Sequence, residues 1–272
     1  MLNIENMQFD TIITPDLDKI RNLQPEDWPD IIPDISFYIK SSICNPIKAQ
    51  INDDIVGTGT SIVFDNTSWI AHIIVGSDYR NKGIGSAIVN KLLESLSRDS
   101  IATCSLIATE LGKPVYLKAG FRIVTEYSFF QREKPWIEYP VSKNIISFTE
   151  DYRSRIYELD KKISGENREK LLIYFLANSI LYIEYNKVIG YYIPDFKEGL
   201  IFADTEEAGL ELMKIKYSKV DKAVLPSNNT VGLTFLKQNG FVETKKATRM
   251  ILGKDIDWKP EKIYSRIGGN LG

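Results

Sequence analysis

Arg80-Asn81-Lys82-Gly83-Ile84-Gly85-Ser86 is the stretch that decides the fold of the first half of the chain. It follows an apolar run, Trp69 to Val75, and precedes a segment with helical apolar spacing, Ala87 to Leu96. The order is therefore strand, glycine turn, helix. The start of a helix exposes unpaired N–H groups and the positive end of the helix dipole, and glycines allow a bulky anion to approach the backbone. The turn is predicted to bind a pyrophosphate group.

Two common nucleotide-binding patterns do not fit this turn. The spacing Arg-x-x-Gly-x-Gly differs from the dinucleotide pattern Gly-x-Gly-x-x-Gly, and the Gly-Lys-Ser/Thr ending of an NTPase phosphate loop is missing. The sequence therefore favours neither NAD nor ATP as the ligand.

The turn resembles the acyl-CoA-binding motif of the GNAT superfamily of N-acyltransferases, whose pattern is Arg/Gln-x-x-Gly-x-Gly/Ala after a strand. A second similarity follows at the expected distance. A strand from Cys104 to Thr109 leads to Tyr116, which lies four residues before the pair Gly120-Phe121, as the superfamily places a tyrosine. The resemblance implies an acyl-CoA co-substrate, most simply acetyl-CoA or another short acyl-CoA.

Composition sets the class of the protein. The chain has 272 residues, of which 43% are hydrophobic and 26% charged, so it is long enough for two medium globular domains. A formal net charge of −2 gives no basic excess, so neither nucleic acid nor an acidic membrane is a predicted partner. The sequence has no run of about 18 apolar residues and no signal-peptide pattern at its start, which predicts a cytoplasmic protein.

Metal binding and thiol catalysis find little support in the sequence. Cys44, interpreted as lying on a helix, and Cys104, interpreted as lying on a strand, are far apart, which favours reduced, packed thiols. The single histidine, His72, offers no plausible partner to a cysteine nucleophile and too few ligands for a metal. No metal cofactor is expected.

The second half of the chain repeats the pattern of the first. The first half is expected to begin with a short strand at Ile12-Ile13. After a linker-like segment, residues 132 to 147, strands and helices alternate again, with helices predicted from Asn167 to Ser179 and from Glu206 to Tyr217 and a hairpin about Asn186-Lys187. The region 223–241 ends in Gly240-Phe241 as 106–121 ends in Gly120-Phe121. This suggests an internal duplication. The predicted fold is α/β (α+β), with two tandem GNAT-like domains, each a mixed, splayed central sheet flanked by helices. The predicted domains are residues 1–137, which bind acyl-CoA and catalyse, and 138–272, a degenerate domain that forms a substrate pocket or lid.

The second domain is predicted not to bind CoA. Its counterpart of the glycine turn carries Asp204, Glu206 and Glu207, whose carboxylates would repel a pyrophosphate. The counterpart of Tyr116 is Leu236 or Phe235, depending on the alignment, and neither has a hydroxyl. The arrangement looks like the two-domain, holothin-acyltransferase-like branch of the superfamily.

The resemblance implies direct transfer, in which a substrate amine attacks the thioester and the CoA thiolate leaves. Backbone groups of Ile73, Ile74 and Val75 would pair with the pantetheine arm as a further strand would. The N–H groups of Asn81, Lys82, Gly83, Ile84, Gly85 and Ser86 would hold the pyrophosphate, and Arg80 and Lys82 would add positive charge.

The catalytic groups are less well defined by the sequence. Tyr116 is the candidate acid that protonates the leaving thiolate. Glu126 is the candidate base, with Glu110 and a water-mediated route as alternatives. Regular alternation would place Trp69, Ala71, Ile73 and Val75 on one face of their strand, where Trp69 either shapes the acceptor pocket or packs in the core. His72 has the opposite parity and is interpreted as a structural histidine.

The predicted function is N-acylation of a small-molecule amine by a monomer or homodimer. Two alternatives stay open. One is a non-catalytic acyl-CoA-binding or interaction protein, and the other is a protein lysine or N-terminal acetyltransferase, although the mixed charges do not suggest an acidic groove for a lysine-rich tail.

Overall fold

The computed structural model describes residues 6–26, 28–98 and 101–272, so the start of the chain, on which the signal-peptide argument rests, lies outside the described residues. The chain forms two compact units. The first consists of Met1–Leu106, Leu111–Arg122 and Ile251–Lys254, and the second of Ile107–Glu110, Ile123–Met250 and Asp255–Gly272. Packing thus divides the chain at other points than the predicted boundary after residue 137, which stays a prediction.

The first unit contains the strand, turn and helix series from which the sequence analysis started. Its elements, with β5 running into the second unit, are β1 (Gln8–Thr11), α1 (Leu17–Arg21), α2 (Ile32–Lys40), β2 (Cys44–Ile51), β3 (Asp54–Phe64), β4 (Thr67–Val75), α3 (Ile84–Arg98), β5 (Thr103–Ala108) and α4 (Lys113–Lys118). The strands pair in chain order. The first three pairings are antiparallel and β4 pairs with β5 in parallel.

Helix α3 lies directly on β3 because two glycines leave room for it. A Cβ atom on Gly57 would lie 2.8 Å from Cδ1 of Ile88, and one on Gly59 would lie 2.6 Å from Cγ2 of the same side chain. Ile84, Ile88 and Leu92 are buried on this face of the helix. The close packing fixes the position of the first turn of α3, which carries the glycine motif.

The second unit repeats the order of elements. They are β6 (Arg122–Arg132), β7 (Ile145–Ser147), α5 (Arg153–Ser164), α6 (Glu169–Leu172), β8 (Ile180–Glu184), β9 (Lys187–Ile193), β10 (Leu200–Ala203), α7 (Glu206–Tyr217), β11 (Lys222–Pro226), α8 (Thr230–Gln238), β12 (Phe241–Gly253) and β13 (Ile263–Ser265). The series β8-β9-β10-α7-β11-α8-β12 has the order of β2-β3-β4-α3-β5-α4-β6. Gly190 leaves room for α7 in the same way that Gly57 and Gly59 leave room for α3. A Cβ on Gly190 would lie 3.0 Å from Cδ1 of Leu212.

Strand β6 and the end of β12 each lie in the unit formed mainly by the other series. Strand β6 follows α4 but pairs antiparallel with β11, from Pro226 opposite Tyr127 to Lys222 opposite Gln131. The end of β12 belongs to the first unit, where the Lys254 N–H donates to the carbonyl of Ala102 at 3.0 Å. The closing strand of the first series and the last residues of the closing strand of the second series are therefore exchanged.

Most predicted elements are present, and three assignments were wrong. Cys44 begins strand β2 instead of lying on a helix, and the first strand precedes the expected Ile12-Ile13. The helix expected from Asn167 to Ser179 is reduced to the four residues of α6. There tertiary contacts override local propensity, because Arg168 is drawn into a buried ion pair with Asp160 and Phe175 stacks on Phe196 at 4.2 Å.

Candidate active site

Strands β4 and β5 separate after a short parallel ladder. Their pairing extends only from Thr67 opposite Thr103 to Trp69 opposite Ser105, although β4 continues to Val75. The backbone of β4 is paired with β3 on its other side as far as Val75. The splay thus leaves one edge of Ile73, Ile74 and Val75 beyond the β5 ladder, as an extended ligand would require.

The glycine motif lies where the chain leaves β4 and enters α3. Asn81 and Gly83 both have left-handed backbones, with φ of 60° and 83°. The Ala87 N–H is bonded to the carbonyl of Gly83 at 3.0 Å, so the N–H groups of Ile84, Gly85 and Ser86 precede the first intrahelical acceptor. A Cβ on Gly83 would meet no heavy atom within 4 Å, so this glycine faces open space. The geometry is that of an anion site at a helix N-terminus.

Two cations flank this turn and are held by main-chain oxygens. The Arg80 Nε donates to the carbonyl of Val75 at 3.2 Å, and the Lys82 Nζ donates to the carbonyl of Asp78 at 2.7 Å. Within the described parts of the chain, neither cation forms an ion pair with a carboxylate. Their charges are therefore available to an anionic ligand.

Tyr116 lies on α4, and its ring packs edge-on against Phe121 with centroids 5.9 Å apart. The pair Gly120-Phe121 ends the helix: Gly120 has a φ of 91°, and the Phe121 N–H donates to the carbonyl of Tyr116 at 3.0 Å. Burial raises the pKa of the Tyr116 hydroxyl well above its ordinary value, and the neighbouring Cys104 adds to the shift. The hydroxyl is therefore protonated at neutral pH, as a proton donor must be.

The two other predicted side chains have different surroundings. Glu126 lies on β6, is 45% exposed and forms an ion pair with Lys246 at 2.9 Å. The carboxylate therefore already has a cationic partner, at a position open to solvent. Trp69 is fully buried and pairs across β4 and β3 with Ile62. Its burial favours packing in the core over contact with a substrate.

The sequence analysis missed a β-bulge in β4. The register with β3 shifts between Thr58 and Thr60, so that His72 and Ile73 together face one residue of β3. His72 has a φ of 49°, the left-handed region that non-glycine residues rarely adopt. No pattern in a single sequence marks the bulge, because it is defined by the register with another strand.

The bulge makes the predicted alternation of β4 wrong. Trp69 and Ile73 were expected on one face. Cδ1 of Ile73 lies 2.7 Å from the position of a Cβ on Gly59, on the α3 side of the sheet. Trp69 pairs with Ile62, whose parity on β3 is opposite to that of Gly59, so the two side chains lie on opposite faces. The parity argument for His72 therefore fails as well.

The His72 ring contacts α2 instead of lying in an isolated core position. Its Nδ1 lies 3.0 Å from the Tyr38 hydroxyl, and its Nε2 lies 3.4 Å from Oδ2 of Asp34. Trp28 packs edge-on against the ring with centroids 6.2 Å apart. The side chain of His72 is 10% exposed and that of Asp34 is 27% exposed, so the pair is partly accessible to solvent.

The corresponding region of the second unit is filled by its own chain. Strand β10, the counterpart of β4, pairs with β13 along its other edge, with Ile201 opposite Ser265. A Cβ on Gly209, in the first turns of α7, would lie 2.2 Å from the ring of Tyr264. The Thr205 side chain caps α7 by accepting from the Ala208 N–H, and two glutamates follow it. Neither an open edge nor a basic turn is present at this place.

A protein-family model matches the part of the chain that contains the candidate site. Residues 16–121 match the model of the acetyltransferase (GNAT) family, a range that contains β4, the glycine motif, α3 and Tyr116. The chain carries a GNAT acetyltransferase domain. Among curated proteins, none matches the sequence significantly.

Solved structures extend the likeness over both units of the chain. A candidate acetyltransferase of Pyrococcus horikoshii has a TM-score of 0.83 and 20% identity, with 100% of this chain and 98% of that chain covered. A GCN5-related N-acetyltransferase of Sphaerobacter thermophilus has a TM-score of 0.64 and 13% identity, with 95% and 100% covered. A glucosamine N-acetyltransferase region of a fungal multi-domain GH3 enzyme has a TM-score of 0.65 and 14% identity, with 90% and 38% covered. At these identities the likeness shows the fold alone.

Among the described residues, no helix combines the length and the apolar character that crossing a bilayer requires.

Proposed function

We propose that this protein is an acyl-CoA-dependent N-acyltransferase, with acetyl-CoA as the simplest donor and a small-molecule amine as acceptor. The observation that carries the proposal is the combination of an open β4 edge with a basic glycine turn at the start of α3, within the range that matches the GNAT family. A protein that bound only an isolated phosphate would need the turn but not the edge.

The roles of the residues follow from the chemistry of acyl-CoA. The N–H groups from Asn81 to Ser86 bind the pyrophosphate, and Arg80 and Lys82 neutralise its charge. The pantetheine arm pairs with Ile73, Ile74 and Val75, because a chain of amides can replace the missing strand. Tyr116 donates its proton to the leaving thiolate as the C–S bond breaks. The base proposed from the sequence is Glu126, and Trp69 supports the acceptor pocket by packing beneath it.

The second domain is proposed to complete the acceptor site as a pocket wall or lid, without a cofactor of its own. This agrees with the basic turn of the first unit having an acidic, filled counterpart in the second. A small acceptor is also the kind named for one protein of the same fold, a glucosamine N-acetyltransferase region. Cytoplasmic location and a monomeric or homodimeric state remain predictions of the sequence.

Calorimetric titration and a thiol-release assay test this proposal together. Titration with CoA is expected to show one site per chain, and two equivalent sites would contradict the role given to the second domain. A panel of amino sugars, polyamines and aminoglycosides with acetyl-CoA is expected to release free CoA thiol with at least one amine. Tight binding of acetyl-CoA without thiol release from any amine or peptide would show a binding protein instead of an enzyme.

A further inference from the structure

The direction of the proposed cofactor places its reactive end near the β-bulge. The pyrophosphate site lies after the C-terminal end of β4, and the pantetheine arm would run back along Val75, Ile74 and Ile73 toward the splay point at Trp69. The next residue along this path is His72. The thioester would therefore lie beside the one residue of β4 whose backbone is left-handed, in a described strand that is otherwise regular.

The bulge changes the direction of the His72 side chain, and contacts with α2 fix the orientation of its ring. The backbone carbonyl of His72 accepts from the Thr58 hydroxyl at 3.3 Å, which supports the bulged conformation. A left-handed backbone is unfavourable for a residue other than glycine, so the conformation must be stabilised by its contacts. The contact of Nδ1 with the Tyr38 hydroxyl, at 3.0 Å, holds the ring in one position. Nε2 is then the nitrogen on the side of the partly exposed Asp34.

We propose that His72 is the base of the acyl transfer and that Asp34 binds the acceptor as an ammonium ion. This rests on the proposed function and replaces Glu126 in the role of base. In the tautomer whose Nδ1–H donates to the Tyr38 hydroxyl, Nε2 carries the lone pair, and the ammonium gives one proton to it. The nitrogen lone pair then forms a bond to the acyl carbon, and the C–S bond breaks. The second nitrogen proton ends on the sulfur, directly or through Tyr116, and the imidazolium returns its proton to solvent.

The surroundings of His72 suit this role better than those of Glu126. The Asp34 carboxylate, 3.4 Å from Nε2, stabilises the imidazolium that forms, whereas the Glu126 carboxylate is already paired with Lys246. Asp34 and Tyr38, both on α2, are titratable groups that contact the ring, and Thr58 of β3 contacts the backbone carbonyl of His72. The Trp28 ring beside His72 provides an aromatic wall that suits an organic cation.

The pH dependence of turnover tests the assignment. With an amine that supports thiol release, kcat/KM of the wild type is expected to rise with pH in the range where histidines titrate, about pH 5–8, and then to level off. The variant His72→Gln is expected to have a kcat about 100-fold lower and an unchanged affinity for CoA. Its kcat/KM is expected not to rise with pH. Asp34→Asn is expected to raise KM for the amine, and Asp18→Asn, an equal change at an exposed site of α1, to change neither constant.

Three results would overturn the proposal. One is a His72→Gln variant with the activity and pH profile of the wild type. Another is a Glu126→Gln variant whose kcat/KM no longer rises with pH, together with a His72→Gln variant whose kcat/KM still does. If His72→Gln does not fold, Tyr38→Phe and Asp34→Asn decide the matter: unaltered pH profiles and amine KM values in both would reject the role of His72.

Nuclear magnetic resonance separates this inference from the proposed function. The chain has a single histidine, so the imidazole resonances need no assignment. An amine acceptor is expected to shift the titration of His72 in the wild type and not in Asp34→Asn. An amine that supports turnover without moving this titration would reject the base assignment alone. A protein that releases no thiol with any amine would instead reject the proposed function.

Discussion

Gly83 and Gly85 are needed in the proposed pyrophosphate site for different reasons. Gly83 has a φ of 83°, so any side chain there strains the backbone even though the space is open. Gly85 has no such φ, and a Cβ on it would lie 3.7 Å from Cγ2 of Val75, an ordinary contact. Gly85 is therefore the position at which charge can be changed without changing the fold.

We expect Gly85→Asp to lower the affinity for CoA by at least about 100-fold, because a carboxylate would face the pyrophosphate at the N-terminus of α3. Gly85→Asn is the matched control, since it adds nearly the same volume without the charge. It should lose less affinity than the Asp variant, because only its volume, and no charge, opposes the approach of the pyrophosphate. Calorimetry with CoA measures both, and circular dichroism checks the fold. Equal losses in the two variants would attribute the effect to volume and not to a bound anion.

Tyr116→Phe is expected to lower kcat about tenfold while the affinity for CoA holds. The substitution keeps the ring that packs against Phe121 and removes only the proton donor. The loss is modest for two reasons: burial makes the hydroxyl a weaker acid, and a thiol with a pKa near 8.5 is already a fair leaving group. Steady-state thiol release measures kcat. Phe235→Leu in the second unit is the matched control and should leave kcat/KM for acetyl-CoA unchanged.

The sequence predicts residues whose role depends on local geometry and misses those whose role depends on strand register. The glycine motif and Tyr116 lie within short local patterns, and both are found at the expected helix ends. His72 could not be assigned in the same way. Its orientation depends on one extra residue in β4 relative to β3 and on contacts with α2, more than 30 residues away.

At the scale of elements, the position of α3 depends on its contact with β3. A Cβ on Gly59 would lie 2.6 Å from Ile88 and 2.7 Å from Ile73, so Gly59→Ala must push the helix or its side chains away. We expect the free energy of unfolding to fall by about 1–3 kcal/mol and CoA binding to weaken, because the first turn of α3 moves with the helix. Urea unfolding and calorimetry measure the two effects.

Ile88→Ala tests whether this contact is the cause. It removes the atoms nearest to the added methyl group, so the double variant should recover part of the stability that Gly59→Ala loses relative to an additive expectation. Strictly additive losses would place the strain elsewhere, for example at Ile73.

Helices and hairpins were predictable where local sequence and tertiary packing agree. Helix α7 has the predicted bounds, and the hairpin of β8 and β9 turns at Tyr185 and Asn186, one residue before the expected position. The length of helix α6 was overestimated because Phe175 and Arg168 contact residues distant in sequence, Phe196 and Asp160, which no local pattern reveals.

At the scale of the whole molecule, duplication was predictable from sequence and strand exchange was not. The repeated Gly-Phe endings indicate two similar series of elements, but the partner of a closing strand is a long-range property. The same limit applies to β13, a three-residue strand that occupies the edge of β10. These two long-range pairings determine which unit has an open edge and which residues complete the first unit.

The strand exchange predicts that a residue near the end of the chain stabilises the first unit. Gly253 has a φ of 95°, and a Cβ there would lie 2.2 Å from the backbone oxygen of Ala102. We therefore expect Gly253→Ala to separate the end of β12 from the start of β5 and to remove the hydrogen bonds of Lys254 with Ala102 and Thr103. The amides of residues 102–106 should lose protection against hydrogen exchange. CoA binding should weaken, although Gly253 lies far in sequence from the glycine motif. Gly269→Ala, with open space around its Cβ, should change neither, whereas loss of protection confined to residues 222–250 would show that β12 supports only the second unit.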